Sequence, residues 1–384
     1  MKKRLVWVAI GTMLLLSACG NSGKSDSTDT GSAVKEATSE ELKQSDNSET
    51  NVTEKATTEA EESEEPEVLT LTLSATGDCT LGKTQEQGYT GSFWDYYDTN
   101  GEEYFFDGVR DIFEADDMTL INLECVLTNE ETRVEKAYNL KGFPEYTGIM
   151  TSSSIEACST GNNHCRDYGD QSQLDTQNAL DQAGIAWAYN EKIGTYTTDN
   201  GLVVGFVSAN LLNAPDENLA ILKEDIATLQ EEDVDLIVAC CHWGIEKEYY
   251  PTDYQTSSAR ALVDAGADLV IGNHPHVLQG IEVYNGKVIC YSLGNFCFGG
   301  NRNPADKNTM IFQQTFTYVD GQLQTNLDAK IIPCTLSGHS DYNDFQPALA
   351  TGDKKQTIID KVTEYSAPYG NLVIDEEGNL VVGE

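Results

Sequence analysis

What most restricts the fold of this chain is a recurring pattern. A short apolar run is followed by one or two residues able to hold a metal or move a proton. Val68 to Thr76 ends at Gly77–Asp78, and Met118 to Leu123 ends at Glu124. Ile155 to Ser159 leads to Gly161–Asn162–Asn163–His164, Leu236 to Cys241 leads to His242–Trp243–Gly244, and Leu269–Val270–Ile271 leads to His274 and His276. Between the runs lie stretches of helical spacing, around Val109 to Ala115, Leu174 to Gln182, Ile221 to Leu229 and Ser257 to Ala265. A further run, Leu202 to Ser208, follows the turn Asp199–Asn200–Gly201. Uninterrupted apolar runs suit strands buried on both faces. Their alternation with helices, followed by hairpins around Asn285–Gly286 and Asp320–Gly321, predicts an α/β domain with mixed sheets. In such sheets ligands bind beyond the carboxyl ends of the strands, which is where these polar residues fall.

The sharpest single signal is His274–Pro275–His276. A residue before proline is pushed toward extended backbone, and side chains two apart in an extended segment leave on the same side. The two imidazoles are thus expected to face one point. A lone His-x-His in a surface loop carries little meaning, but the chain has only five histidines, and four of them follow strand-like runs. Asp78, Glu124, Asn163–His164, His242, His274 and His276 together form a donor set suited to one or two divalent ions such as Mn, Fe or Zn. Two carboxylates against two such ions leave about two positive charges for an anionic group.

The chain opens with Lys2–Lys3–Arg4, an apolar core from Leu5 to Leu16, and Leu16–Ser17–Ala18–Cys19. This predicts a signal peptide over 1–18, too short to span a bilayer. The Leu-Ser-Ala-Cys sequence resembles a bacterial lipobox, so lipidation of Cys19 and anchoring on the extracytoplasmic face of the cell membrane are expected. The alternative is a plain secretory signal. Residues 19–66 form the expected tether. Positions 21–66 carry 13 acidic and 4 basic residues and no aromatic ones, a composition that cannot offset ordering entropy. A flexible chain of that length spans about 37 Å. The formal charge of −39 excludes nucleic acid and anionic lipid surfaces as natural partners. An anionic substrate would need a local positive centre.

Cys19 aside, nine cysteines remain, at 79, 125, 158, 165, 240, 241, 290, 297 and 334, with no CxxC spacing. Most sit in apolar runs, so buried free thiols are expected. A metal role for Cys79, Cys125 or Cys165, beside the motifs, is a secondary reading.

Taken in order, Gly77–Asp78, Asn122–Leu123–Glu124, Asn162–Asn163–His164 with Asp167–Tyr168–Gly169, His242–Trp243–Gly244, Gly266 to Gly272, His274–Pro275–His276 and Tyr291–Ser292–Leu293–Gly294–Asn295–Phe296 resemble the motifs of the CapA family. These are poly-γ-glutamate capsule biosynthesis proteins with a calcineurin-like metallophosphatase fold. The resemblance implies a four-layer αββα sandwich of mixed sheets over 67–335, with 336–384 as an extension packing on it. It implies metal ligation by Asp78, Glu124, Asn163, His242, His274 and His276, and His164 as the catalytic histidine. Arg166, Glu246 and Asn295, within or beside these motifs, are candidate substrate contacts. The wider superfamily opens with Asp-x-His, whereas this chain has Asp78–Cys79–Thr80, one imidazole fewer. Two functions follow as expectations. One is a metal-dependent hydrolase or transferase acting on an anionic polymer such as poly-γ-glutamate. The other is a non-catalytic subunit that binds the polymer or braces a membrane synthase or export complex.

Overall fold

The computed structural model describes residues 65–190, 192–370 and 372–383. The expected signal peptide, Cys19 and nearly all of the tether lie outside them. Walking the chain, the strands of the two large sheets are β1 (Val68–Thr80), β2 (Met118–Leu123), β3 (Ala157–Ser159), β4 (Ala186–Ala188), β5 (Gly194–Thr197), β6 (Val203–Asn210) and β7 (Leu236–His242). They continue as β8 (Leu269–Asn273), β9 (Ile281–Tyr284), β10 (Lys287–Cys290), β11 (Asn295–Phe298), β12 (Asn308–Val319), β13 (Ala329–Thr335) and β14 (Ala348–Leu349). The longer helices are α1 (Gly169–Ala183), α2 (Pro215–Glu231), α3 (Asp253–Ala265) and α4 (Gly352–Ser366).

The first sheet runs β14-β13-β12-β1-β2-β3-β4, with β11 pairing the end of β1 and Gln322–Leu323 pairing β12. The second runs β9-β10-β8-β7-β6-β5. Both mix parallel and antiparallel pairs: β1 is parallel to β2 and β11 but antiparallel to β12, and β7 is parallel to β6 and β8. Facing residues of the two sheets, among them Leu73 and Leu120 from one and Phe206, Val238 and Ile271 from the other, share one core. On the outer face of the first sheet, Ile121, Cys158 and Ile311 meet an aromatic cluster and Leu180 of α1. On the outer face of the second, Val207, Ala239 and Val270 meet Leu222 and Ile226 of α2 and Leu262 of α3. This is the expected layering of helix, sheet, sheet and helix. Each buried Leu, Ile, Val or Phe contributes roughly 1.5–3 kcal/mol, so the two-sided burial of β7 and β8 accounts for their unbroken apolar sequence. Helix α4 places Ile358, Ile359 and Val362 in the inter-sheet core.

Several boundaries differ from the sequence reading, each for a local reason. The helix expected near Val109 to Ala115 is one turn, Arg110–Phe113. Helix α2 begins earlier than its apolar spacing suggested, because Pro215 occupies its first turn, where a missing N–H costs nothing. Helix α3 begins at Asp253, set by a capping box in which Thr252 and Gln255 satisfy each other's backbone N–H. Strand β1 runs through Gly77–Asp78 with a register shift, so Asp78 sits within the sheet. A Cβ at Gly77 would lie 2.0 Å from the Gly294 carbonyl oxygen, which instead accepts the Asp78 N–H at 2.8 Å. Both hairpins form as expected, with Asn285, Gly286, Asp320 and Gly321 all at positive φ.

One titrating pair lies beside β2, clear of the strand ends just described. Glu156 Oε2 accepts from the Thr119 N–H and Asp116 Oδ2 from the Thr119 hydroxyl, each at 2.8 Å. Burial pushes Glu156 up to about 7 and Asp116 up to about 6. A carboxyl with a raised folded pKa keeps a proton that the unfolded chain releases. Its contribution is therefore lost as pH climbs from the unfolded value, near 4.5 for Glu156, through 7. Glu156→Gln, which keeps the acceptor, is expected to remove about 1–2 kcal/mol of the stability loss between pH 5 and 8, allowing for partial solvent screening. Denaturant melts of wild type and variant across that range check this.

Candidate metal centre

Register brings the centre together. Asp78 of β1 pairs with Asn122 of β2 on one side and Asn295 of β11 on the other. Asn122 pairs in turn with Ser159 of β3. In the second sheet His242 pairs with Asn210 and Asn273. The polar ends of both sheets thus meet at one place.

Glu124 is fully buried, and neither carboxylate oxygen has a hydrogen-bond partner. Oε1 lies 3.5 Å from His242 Nε2, 3.7 Å from His276 Nε2 and 3.9 Å from His164 Nε2. Burial, then the Asp78 charge, raises its pKa well above the carboxylate range. His274 Nδ1 is likewise buried without a partner, and burial followed by the His276 charge pushes its pKa down to about 4. His276 Nδ1 lies 3.0 Å from Asp78 Oδ2 and 2.9 Å from Asn295 Oδ1. Burial works against its charge, but Glu124 and Asp78 overcome that and raise it to about 10. Unpartnered buried polar atoms are costly. One ligand atom from each of Glu124, His274 and His276 falls within 4.8 Å of the others. This is a candidate metal site, and its mixed oxygen and imidazole donors fit a divalent transition ion.

The remaining expected ligands lie against this trio but have protein partners. Asp78 Oδ1 accepts from Asn122 Nδ2 at 2.8 Å and from the His274 N–H at 3.3 Å. His242 Nε2 and Asn163 Oδ1 are 2.9 Å apart, and burial holds His242 well below its usual pKa. Thr80, where the Asp-x-His imidazole would stand, donates its hydroxyl to the Glu124 carbonyl. Cys79 and Cys125 point into the aromatic core under the helices. Among the described residues no cysteine joins the cluster, and all nine thiols are free.

The two histidines converge by a route other than the one expected. His274 and His276 have φ of +97° and +58°, so the segment is not extended. The His274 N–H is directed at Asp78, and the Pro275 carbonyl accepts the Lys247 N–H at 2.8 Å. These tertiary bonds override the local bias before proline. The rings lie 5.7 Å apart and inclined at 52°.

His164 stands at the edge of the trio. Its Nδ1 is 2.6 Å from Asp167 Oδ2, while Asp167 Oδ1 accepts from Lys136 Nζ at 2.6 Å. That carboxylate fixes the ring and leaves Nε2 toward Glu124. Burial lowers the His164 pKa despite Asp167. A cleft of about 380 Å³ opens here, lined by His164, His276, Glu246, Asn295, Tyr138 and Phe298 among others. Of the candidate substrate contacts it holds Glu246 and Asn295. Arg166 lies in a second cleft beyond Asn163. Two residues that organise the site were given no role by the sequence reading. Asn122 ties together Asp78, Asn162 and His242, and its place just before Glu124 was the available sign. Lys136 lies in an irregular loop that gave none.

Fold and site together define an α/β sandwich protein with a candidate metal centre at its converging strand ends. Residues 72–300, more than half of the chain, match the family model described as bacterial capsule synthesis protein PGA_cap. The chain belongs to that family. It is 33% identical over 264 residues to the PGA biosynthesis protein CapA of Bacillus subtilis, covering 62% of this chain and 67% of that protein. It is 28% identical over 253 residues to the capsule biosynthesis protein CapA of Bacillus anthracis, covering 59% and 60%. A probable polyglutamine synthesis accessory protein of Mycobacterium tuberculosis is 28% identical over 210 residues, covering 47% and 55%. The matched region thus spans between 55% and 67% of these relatives' length.

Proposed function

We propose that this protein acts in the biosynthesis of poly-γ-glutamate or a related anionic envelope polymer, as a metal-dependent hydrolase or transferase. The names of its relatives support the polymer. The observation that carries the chemistry is the set of buried, unpartnered donor atoms on Glu124 and His274, beside a histidine oriented by a carboxylate. Glu124, His274 and His276 would hold the ion, with Asp78, Asn163 and His242 in reach of a second. The ion, Mn, Fe or Zn, would supply positive charge that polarises the bond to be broken. Asn122 and Asn295 orient the ligand side chains. His164, neutral in the resting protein, would accept at Nε2 the proton of the attacking water in hydrolysis, or of the acceptor amine in transfer, and pass it to the leaving group as the bond breaks. Lipid on Cys19, with residues 19–66 as spacer, would hold the domain at the extracytoplasmic membrane face, within reach of membrane synthase or export subunits.

A second reading, polymer binding without turnover, rests on Thr80. Its hydroxyl serves the backbone, so the imidazole of the superfamily's Asp-x-His has no substitute there.

The test uses the full chain purified without oxygen. Elemental analysis is expected to find at least one divalent ion per chain, and γ-linked polyglutamate is expected to be shortened or transferred only while the ion is present. Metal-loaded protein that retains the polymer and leaves it, phosphoesters and amides intact would establish the second reading instead.

A further inference from the structure

The second cleft, about 440 Å³, lies on the far side of the 162–167 turn from the first. Asn163 and Asp167 line the second, while their neighbour His164 lines the first. The 134–138 strap borders both, with Val134 and Lys136 in the second and Tyr138 in the first. In a chain with 63 acidic residues, the lining of this cleft is unusual. Its single carboxylate, Asp167, is already engaged by Lys136 and His164. The first cleft, by contrast, holds the carboxylates of Glu246 and Asp306. The second presents side-chain amides from Asn190, Asn210 and Asn213. The Arg166 guanidinium stands 5.9 Å over the Tyr189 ring with its side chain about half exposed, its Nε donating to Gln173 Oε1 and lying 3.6 Å from the exposed Asp170 carboxylate.

An amide side chain both donates and accepts, and so matches the N–H and C=O of a peptide-type backbone. A guanidinium matches a carboxylate with two parallel bonds. We infer that the second cleft is a polymer subsite for an amide-linked, carboxylate-bearing chain, which passes over the 162–167 turn and enters the first cleft at His164. This rests on the substrate class proposed above. It adds a direction to the polymer and divides the labour. Arg166 and the asparagines grip the chain, while the bond acted on lies beyond them at the Glu124 cluster.

The test measures binding of γ-linked glutamate oligomers of two and of about ten residues to the full, metal-loaded protein by calorimetry. Asn213 is exposed, so Asn213→Asp adds a charge without a change of shape. It is expected to weaken the longer oligomer about tenfold, the effect of one like charge some 5–6 Å away at an intermediate dielectric. The two-residue oligomer, which fits in the first cleft alone, is expected to bind unchanged. Arg166→Gln is expected to weaken the longer oligomer and reduce its salt dependence. Gln322→Glu, an equal charge at an exposed hairpin near the amino-terminal end of β1, is the control. If Asn213→Asp and Arg166→Gln bind the long oligomer as well as the control, the subsite is wrong and the polymer reading stands. If wild type binds neither length, the substrate class itself fails and this inference with it.

Discussion

Replacing His276 with asparagine is expected to lower metal affinity at least 10–100-fold while the domain still folds. Loss of an outer-sphere partner alone costs that much in metal proteins, and His276 is a member of the donor trio. Asparagine is chosen because φ at this position is +58°, where it is tolerated far better than alanine. The electrostatics point the same way. Glu124 and Asp78 both lie against His276, and without its charge or an ion's the buried Glu124 carboxyl, already raised by burial, is driven further toward its protonated form. Two measurements keep metal and fold apart. Elemental analysis reads occupancy, and melting with and without added ion reads linkage. An ion at 100 times its dissociation constant stabilises the native state by about 2.7 kcal/mol. Wild type is expected to show that upward shift and His276→Asn to keep at most about half of it, each measured from its own metal-free melt, which loss of the Asp78 contact lowers in the variant. Equal metal content in the two proteins would remove His276 from the ligand set.

Much of this centre was legible because parallel strands in an α/β sheet deliver their carboxyl ends to one edge, whatever the rest of the chain does. Glu124, His242 and His274 were found that way, each directly after or close behind an apolar run. What escaped depends on partners distant in sequence. Asn122 stands in a recognisable motif, but its task shows only when the register sets it against Asp78, 44 positions away. Lys136 belongs to no periodic element and gains its place through Asp167 and the Asn163 carbonyl. The backbone at His274 and His276 was misread for the same reason. Local preference before proline is a weak bias, and hydrogen bonds to Asp78 and Lys247 outweigh it. The start of α3 was different in kind. Thr252 and Gln255 spell a capping box that could have been read directly.

His164→Ala is expected to keep the ion and lower turnover by about 10²–10⁴-fold, the usual worth of a positioned acid or base. The retention follows from geometry. His164 Nε2 is 3.9 Å from Glu124, the farthest of the three imidazole nitrogens that approach it, and Nδ1 is committed to Asp167. Asn163 meanwhile faces His242, so the adjacent residues of one turn serve different tasks. Because burial holds the ring below its ordinary pKa, the neutral form dominates near pH 7 and Nε2 is an acceptor there. Activity limited by that base should fall as pH drops through the lowered pKa, and the fall should vanish from the residual activity of His164→Ala. Asp167→Asn provides the companion measurement. It removes the carboxylate acceptor of the Nδ1 proton, so turnover should fall with metal content again unchanged. A His164→Ala protein that turns over polymer at the wild-type rate with its ion in place would exclude proton transfer by this ring. Unchanged polymer affinity together with no turnover in either protein would leave the domain as a binding subunit.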